Sequence, residues 1–444
     1  MPQIHLRDKS AQLRIRLLIR ACLHCKMVRR IWILCLFTLS IGLPLACSLL
    51  GEEVSEKKPD SLRMLYPAGG WEQTSAKEWA QLLNLPTESE TKYQSSYRIY
   101  LDQGDDLLGA RPRSISLVAT EDQPDQLTIM FANKGDSAST YLRANAAANA
   151  SLKDITEIKR LIQADYDIVK KNMSDLLEKP STQGFGEAGK AREFPLRWDC
   201  QGTTFLLTER PGEFCVLRVL SSLSADQGGK TSRISDSAMR ERMKNNVVHR
   251  PNGDVIIENI PMVDQGPKGF CVPATYTRVL LYAGVPADLY LLALLGRTDV
   301  GGGTSTVAME NSARALASSY GRSITSVSPS LDLPKLETFF EKGIPLTWAM
   351  FVDEKLDRDL SSRLRQRTET DADAWLKILA EKRKAARSIK KNQNNGHVCL
   401  LIGCNRKTGE LATSDSWGPE FAERWITIEE ARAISQGDLG AIVP

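Results

Sequence analysis

The sequence predicts an α+β chain, with two successive regions that each combine helices with an antiparallel sheet. Three observations lead there. Short apolar runs bounded by Asp, Gly and Pro recur between residues 97 and 220 and again between 344 and 418, as antiparallel strands do. One long stretch, Ser151 to Lys179, instead carries its apolar residues at steps of three and four. The composition is ordinary for globular protein, 42% hydrophobic and 25% charged over 444 residues, which suits about two domains. The net charge of +4 is small for that length, so no nucleic-acid partner is expected.

Residues 1–48 read as an export region. Met27-Val-Arg-Arg30 is basic, Ile31 to Ala46 is apolar and uncharged, and Leu43 to Ser48 offers small residues for cleavage. The basic segment before Met27 does not fit that pattern, so Met27 is the expected start. Cys47 after Leu45-Ala46 is similar to a lipidated cysteine, although Pro44 stands where such sites usually carry Leu. The chain is therefore expected to be exported, to the periplasm, the cell envelope or the outside. It is either released or tethered through an uncleaved signal anchor or a lipidated Cys47. Residues 49–68 are a polar linker.

Residues 69–222 follow as one α+β domain. Trp71 to Leu85 reads as a short helix with Ser75 as cap and Pro86 as stop. Tyr97–Leu101, Ser114–Ala119 and Leu127–Phe131 read as strands. In the long helix Leu152, Ile155, Ile158, Ile162, Tyr166, Val169, Met173 and Leu176 form one packing stripe, and Pro180 ends it. Phe194–Trp198, Thr203–Thr208 and Phe214–Leu220 add strands. Of the 9 cysteines, Cys200 and Cys215 flank the last hairpin. The turn at Arg210-Pro-Gly-Glu213 lies nearer Cys215, which argues against a disulfide between them. The region holds no catalytic constellation; binding, positioning or inhibition of its neighbour is its expected role.

Residues 223–253 are a Ser/Gly-rich linker and a charged helical piece at 235–246. The second domain, 254–444, opens with an extended run, Asp254 to Met262. A helix is expected from Cys271 to Gly284, with Pro273 tolerated in its first turn. Leu289–Leu295, Ala308–Tyr320 and Leu333–Gly343 are further helical pieces, and Ile344–Phe351 is a strand. Val300-Gly-Gly-Gly-Thr-Ser305 lacks the Gly-Lys-Ser/Thr ending of a phosphate cradle and reads as a loop. Asp353–Lys391 is dense in charge of both signs and reads as solvated helices, or as an arm facing the substrate. Gly396–Gly403 and Leu411–Gly418 form a hairpin around Asn405–Glu410.

Chemistry concentrates in this second domain. Gln265 lies six residues before Cys271, and Cys271 starts a helix, where unpaired N–H groups and the dipole favour thiolate. The amide of Gln265 can donate toward an oxyanion near that sulfur. The chain has 4 His, and two, His5 and His24, lie before Met27. His249 sits in a polar connector and His397 at the mouth of the apolar hairpin. A turn centred near Arg406–Lys407 puts His397 beside Asp415 or Ser416. No metal-like spacing appears among the cysteines, and no cofactor is expected.

The order Gln265, Cys271, His397, Asp415 resembles the papain-like cysteine peptidases, and more closely the bacteriocin-processing, double-glycine type. Ile260-Pro261 before Gln265, Cys271-Val-Pro-Ala-Thr275, Gly343-Ile-Pro-Leu346 and Gly396-His397 carry the resemblance over about residues 255–444. Ser416-Trp417-Gly418 is similar to the Asn-Ser-Trp-Gly of papain itself, with Asp415 replacing Asn. Val272 stands where relatives often have Gly. The resemblance implies a papain-like fold, with the helix bearing Cys packed on an antiparallel sheet, and hydrolysis of a peptide or protein substrate. It implies Cys271 as nucleophile, His397 as general acid and base, Asp415 as its orienter and Gln265 in the oxyanion hole. Trp417 would shield the His–Asp contact. A cell-wall amidase or acyl transferase would use the same residues, and a non-catalytic peptide-binding protein could keep the fold.

Overall fold

The computed structural model describes residue 65 and residues 70–444, apart from 102–103, 105, 138–151, 188, 300–302 and 329. The export region, Cys47, nearly all of the 49–68 linker and part of the Val300–Ser305 loop lie outside the described residues. Among the described residues no helix is long and apolar enough to cross a membrane.

The fold is α+β, with two antiparallel sheets of eight strands each. The first contains β1 (Thr87–Glu90), β2 (Ser95–Tyr100), β3 (Ser114–Thr120), β4 (Gln123–Asn133), β5 (Ser181–Thr182), β6 (Leu196–Cys200), β7 (Thr203–Arg210) and β8 (Phe214–Ser221), in the order β1-β2-β3-β4-β8-β7-β6-β5. Helix α1 (Ala76–Leu82) is shorter than the Trp71–Leu85 span, because a capping box between Ser75 and Glu78 fixes its start. Helix α2 (Leu152–Leu177) lays Ile158, Ile162, Val169 and Met173 into a core with Leu127, Ile129, Phe131, Phe205, Leu217 and Val219. Burying each such side chain stabilises by ~1.5–3 kcal/mol. Across the hairpins, Cys200 faces Thr203 and Cys215 faces Glu209, so the two thiols do not oppose each other. The stretch expected as linker begins with a short helix, α3 (Ser222–Asp226), capped by Ser221.

Helix α4 (Asp236–Lys244) leads to the second sheet. This holds β9 (Val247–His249), β10 (Asp254–Ile257), β11 (Ser323–Ser326), β12 (Leu346–Phe351), β13 (Gly396–Asn405), β14 (Glu410–Ser414), β15 (Arg424–Thr427) and β16 (Ser435–Val443). The path is β11-β16-β12-β13-β10-β9, and β14 pairs with both β13 and β15. Gly403 lets β10 approach β13, since a Cβ there would stand 2.3 Å from the Val255 carbonyl oxygen. Helices α5 (Cys271–Tyr282), α6 (Leu289–Leu295), α7 (Thr306–Ser319) and α8 (Leu333–Phe340) belong to this half of the chain. Helix α5 buries Val272, Tyr276, Val279 and Leu280 in one core with Leu400, Leu401 and Trp348 of the sheet, and Gly284 at φ +72 follows its end.

The charged segment is not simply solvated. It forms α9 (Glu354–Glu369) and α10 (Ala372–Ala386), and the inner face of α9 carries arginines. Arg363, 1% exposed, pairs with Glu430 of α11 (Ile428–Ile434) at 2.7 Å. Arg367 donates to both Asp254 and Glu410 and lies 3.8 Å over the Trp425 ring. Guanidinium–carboxylate pairing thus docks what hydropathy assigns to water.

Candidate active site

Cys271 is the first residue of α5 and is half-buried. No side chain caps this helix, and Val272 at its start gives a backbone hydrogen bond to the thiol. Thr275, one turn on, donates its hydroxyl to the Val398 carbonyl at 2.9 Å, which ties α5 to β13. That tie places the sulfur beside His397. The imidazole hydrogen-bonds the thiol and, through Nε2, Oδ1 of Asp415 at 2.7 Å. With Nε2 engaged, Nδ1 is the ring nitrogen left for Cys271.

The hairpin reaches this geometry with a register slightly different from the expected one. Asn405 pairs with Glu410, so the turn spans 406–409 and lies later than Arg406–Lys407. A bulge between Leu401 and Gly403 then sets Leu400 opposite Ser414. Strand β14 ends there, and Asp415 sits diagonal to His397. Continued by three residues, the same register puts Trp417 across from His397. The two rings stack, with centroids 4.5 Å apart, and Phe421 meets the outer side of Trp417 edge-on.

Each charge in the row is supported by the next. Burial alone would push the Cys271 thiol up; the hydrogen bond and charge of His397, with backbone groups of Val398 and Val272, bring it below its ordinary value. Burial would lower His397, yet its bonds to Asp415 and Cys271 raise it to about 9. Asp415 would be raised by burial, but the charge of Arg424 and the bond to His397 hold it at about 2. Each group thus favours the charged form of its neighbour: Arg424 that of Asp415, Asp415 that of His397, and His397 that of Cys271. Cys399 and Cys404 contrast with this: both are fully buried, and burial pushes Cys399 well up and Cys404 up to about 12.

Gln265 is buried, 7% exposed, and its backbone N–H donates to the Ser416 carbonyl at 2.9 Å. One N–H of its amide goes to the Lys268 carbonyl at 3.0 Å; the amide has a second N–H to offer, while Oε1 has no hydrogen-bond partner. His249 takes no part: it is exposed and contacts Glu341 at 3.0 Å.

Two arginines complete the surroundings, and sequence reasoning missed both. Arg424 on β15 reaches Oδ2 of Asp415 with Nη2 at 2.5 Å and Nε at 3.1 Å. Arg278, two turns after Cys271 on α5, is fully buried. It donates to the Pro261 carbonyl at 2.9 Å, the Ser414 carbonyl at 3.2 Å and the Ser414 hydroxyl at 2.6 Å. One side chain thereby joins the helix of Cys271, the approach to Gln265 and the strand before Asp415. An arginine inside an otherwise apolar helix pattern was the available signal for it. Among the described residues no group of three or more His, Cys, Asp or Glu could hold a metal ion.

No protein-family model matches the chain, and no curated protein sequence matches it. Solved structures similar to part of it include two peptidase domains. One is the peptidase domain of Streptococcus ComA, a bi-functional ABC transporter involved in a quorum-sensing pathway. It is 15% identical, with a TM-score of 0.27, over 41% of this chain and 97% of that one. The other is a double glycine motif protease from an AMS/PCAT transporter, solved with its leader peptide. It is 14% identical, with a TM-score of 0.24, over 41% of this chain and 89% of that one.

Proposed function

We propose that the chain is an exported cysteine peptidase of papain-like type, with Cys271 as nucleophile. The observation that carries this reading is His397, whose ring bonds the thiol on one side and Asp415 on the other. A neutral buried cysteine needs no such partner. The thiolate attacks the acyl carbon, and the carbonyl oxygen becomes an oxyanion beside the Cys271 backbone N–H and the free amide N–H of Gln265. His397 gives its proton to the leaving amine, which departs as the thioester forms. Now neutral, the ring takes a proton from water, the hydroxide adds to the thioester carbon, and the C–S bond breaks to release the acid product and restore the thiolate beside the protonated ring. Asp415 keeps the ring oriented and its charge compensated throughout.

Hydrolysis of a peptide library, with and without Cys271→Ala, tests the activity, and iodoacetamide tests the thiolate. Alkylation at Cys271 is expected to outrun that at Cys399 and Cys404 by about a hundredfold, following their thiolate fractions and exposure. Equal rates at the three thiols overturn the reading. Export is part of the proposal through the sequence of Met27 to Ser48. N-terminal sequencing of the mature protein checks it, and an intact Met27 in a soluble cytosolic fraction would contradict it.

A further inference from the structure

The segment from Met262 to Phe270 is held from both sides: Gln265 and Gly269 bond to Ser416 and Gly303 of its own half, and the first half of the chain supplies further polar partners. Tyr100 of β2 donates its hydroxyl to the Asp264 carbonyl at 2.5 Å, and Glu88 of β1 accepts from the Asp264 N–H at 2.8 Å. Glu88 is itself fixed by Arg98 at 2.6 Å. Ser89 takes the Met262 N–H at 2.9 Å. Lys268 lies at the centre of the contact, with its side chain 1% exposed. Its ammonium donates to both oxygens of Asp136 at 3.0 and 3.2 Å and lies 4.5 Å over the Tyr100 ring. Below it, Phe270 packs in one apolar cluster with Met130, Phe214 and Val216 of the first sheet. A Cβ at Gly135 would strike the Phe270 ring at 2.8 Å.

The backbone of Lys268 points the other way. Its carbonyl accepts from the Gln265 amide at 3.0 Å and from the Phe270 N–H at 2.8 Å. The residue whose side chain is held by Asp136 and Tyr100 of the first half is therefore also the one whose carbonyl takes the Gln265 amide. The Cys271–His397–Asp415 row receives none of these contacts.

Resting on the acyl-transfer reading above, we propose that residues 70–222 brace the oxyanion side of the site, with Lys268 as the positioning residue acting through Gln265. The first half of the chain then promotes turnover by preorganising a donor and leaves thiolate formation to the second half. Neither an inhibitor nor a passive neighbour would act selectively on Gln265.

Single-turnover acylation by p-nitrophenyl acetate reads Cys271 whatever its natural acyl group. Lys268→Met is expected to slow acylation about tenfold, a fraction of what losing an oxyanion donor outright costs. Asp136→Asn, which keeps the shape of the contact, is expected to act in the same direction, and it serves also if Lys268→Met does not fold. Iodoacetamide alkylation of Cys271 should stay within about twofold in both. In a Gln265→Ala background, Lys268→Met should add less than about twofold, because the two effects share one route. The brace is overturned if both variants acylate like wild type, if alkylation slows in parallel, or if the loss persists undiminished without Gln265. If wild type acylates no faster than Cys271→Ala, the acyl-transfer reading fails first and the brace with it.

Discussion

Arg424 meets the oxygen of Asp415 that His397 leaves unused. His397 holds Oδ1 at 2.7 Å, while Arg424 holds Oδ2 at 2.5 and 3.1 Å. The guanidinium is held in turn by Asp357 of α9 at 2.6 Å, so the charged segment supports the site from behind. Arg424→Gln should cost ~3 kcal/mol of stability, since it leaves a buried carboxylate with one partner fewer. Asp415, no longer held at about 2, should add a limb to the acid side of the pH–rate profile. Urea melts and the profile of kcat/KM check the two effects separately.

The wild-type profile should be bell-shaped. Activity falls at the alkaline end as His397 loses its proton near about 9, and at the acid end as the lowered thiol of Cys271 regains one. Stability follows the same groups. Asp415 lies at about 2 in the fold against roughly 3.9 unfolded, so its contribution of ~2–3 kcal/mol is present above roughly 3.9 and is lost as pH falls through about 2. His397 is raised, so its share is full below roughly 6.5 and is lost as pH rises through about 9. The two describe largely one interaction and do not add. The lowered thiol of Cys271 titrates with the opposite sign over the neutral range, so denaturant midpoints of Cys271→Ser, which lacks that thiol, measure the His397 share; a flat midpoint in that variant contradicts the raised imidazole.

Trp417→Ala removes the ring stacked on His397 and opens the His–Asp bond to water. The alkaline limb should move to lower pH, and kcat/KM should drop about tenfold as the imidazolium is held less firmly. A change in KM alone would make Trp417 a substrate contact instead.

Arg367→Met tests the docking of α9 without touching the Cys271–His397–Asp415 row. It leaves Asp254 and Glu410, both with fully buried side chains, short of a cation. A loss of ~3–5 kcal/mol in unfolding free energy is expected, with turnover per folded molecule unchanged. Calorimetry together with active-site titration reads both.

Much of this was legible because it is local. The stripe on α2, the helix opening at Cys271 and the strand opening at His397 each occupy one contiguous stretch with its own period. A hairpin with a short turn also transmits position, so Asp415 could be set near His397 from spacing alone. What could not be read depends on residues distant in sequence. Lys268 and Asp136 are 132 positions apart, and no pattern marks either one. Arg424 lies on β15, only four residues long, which went unread along with β16, where Gly437 and Gly440 interrupt the alternation and a bulge shifts the pairing with β12. Strand β1, Thr-Glu-Ser-Glu, is polar throughout because Glu88 and Ser89 turn toward the loop before Gln265 rather than into an apolar core. Arg363 and Arg367 looked like solvent-facing charge because composition cannot distinguish an arginine in water from one inside a carboxylate pair.

From Asp357 through Arg424, Asp415 and His397 to Cys271, the charges alternate in sign along one line. In the proposed acylation the last two cancel together: the thiolate becomes a neutral thioester as the imidazolium becomes neutral imidazole. The total charge of the row is the same before and after. Arg424 and Asp357 therefore see an ion pair collapse beyond Asp415 but no new net charge to compensate. Such a site can cycle between its two covalent states without taking up or giving away net charge.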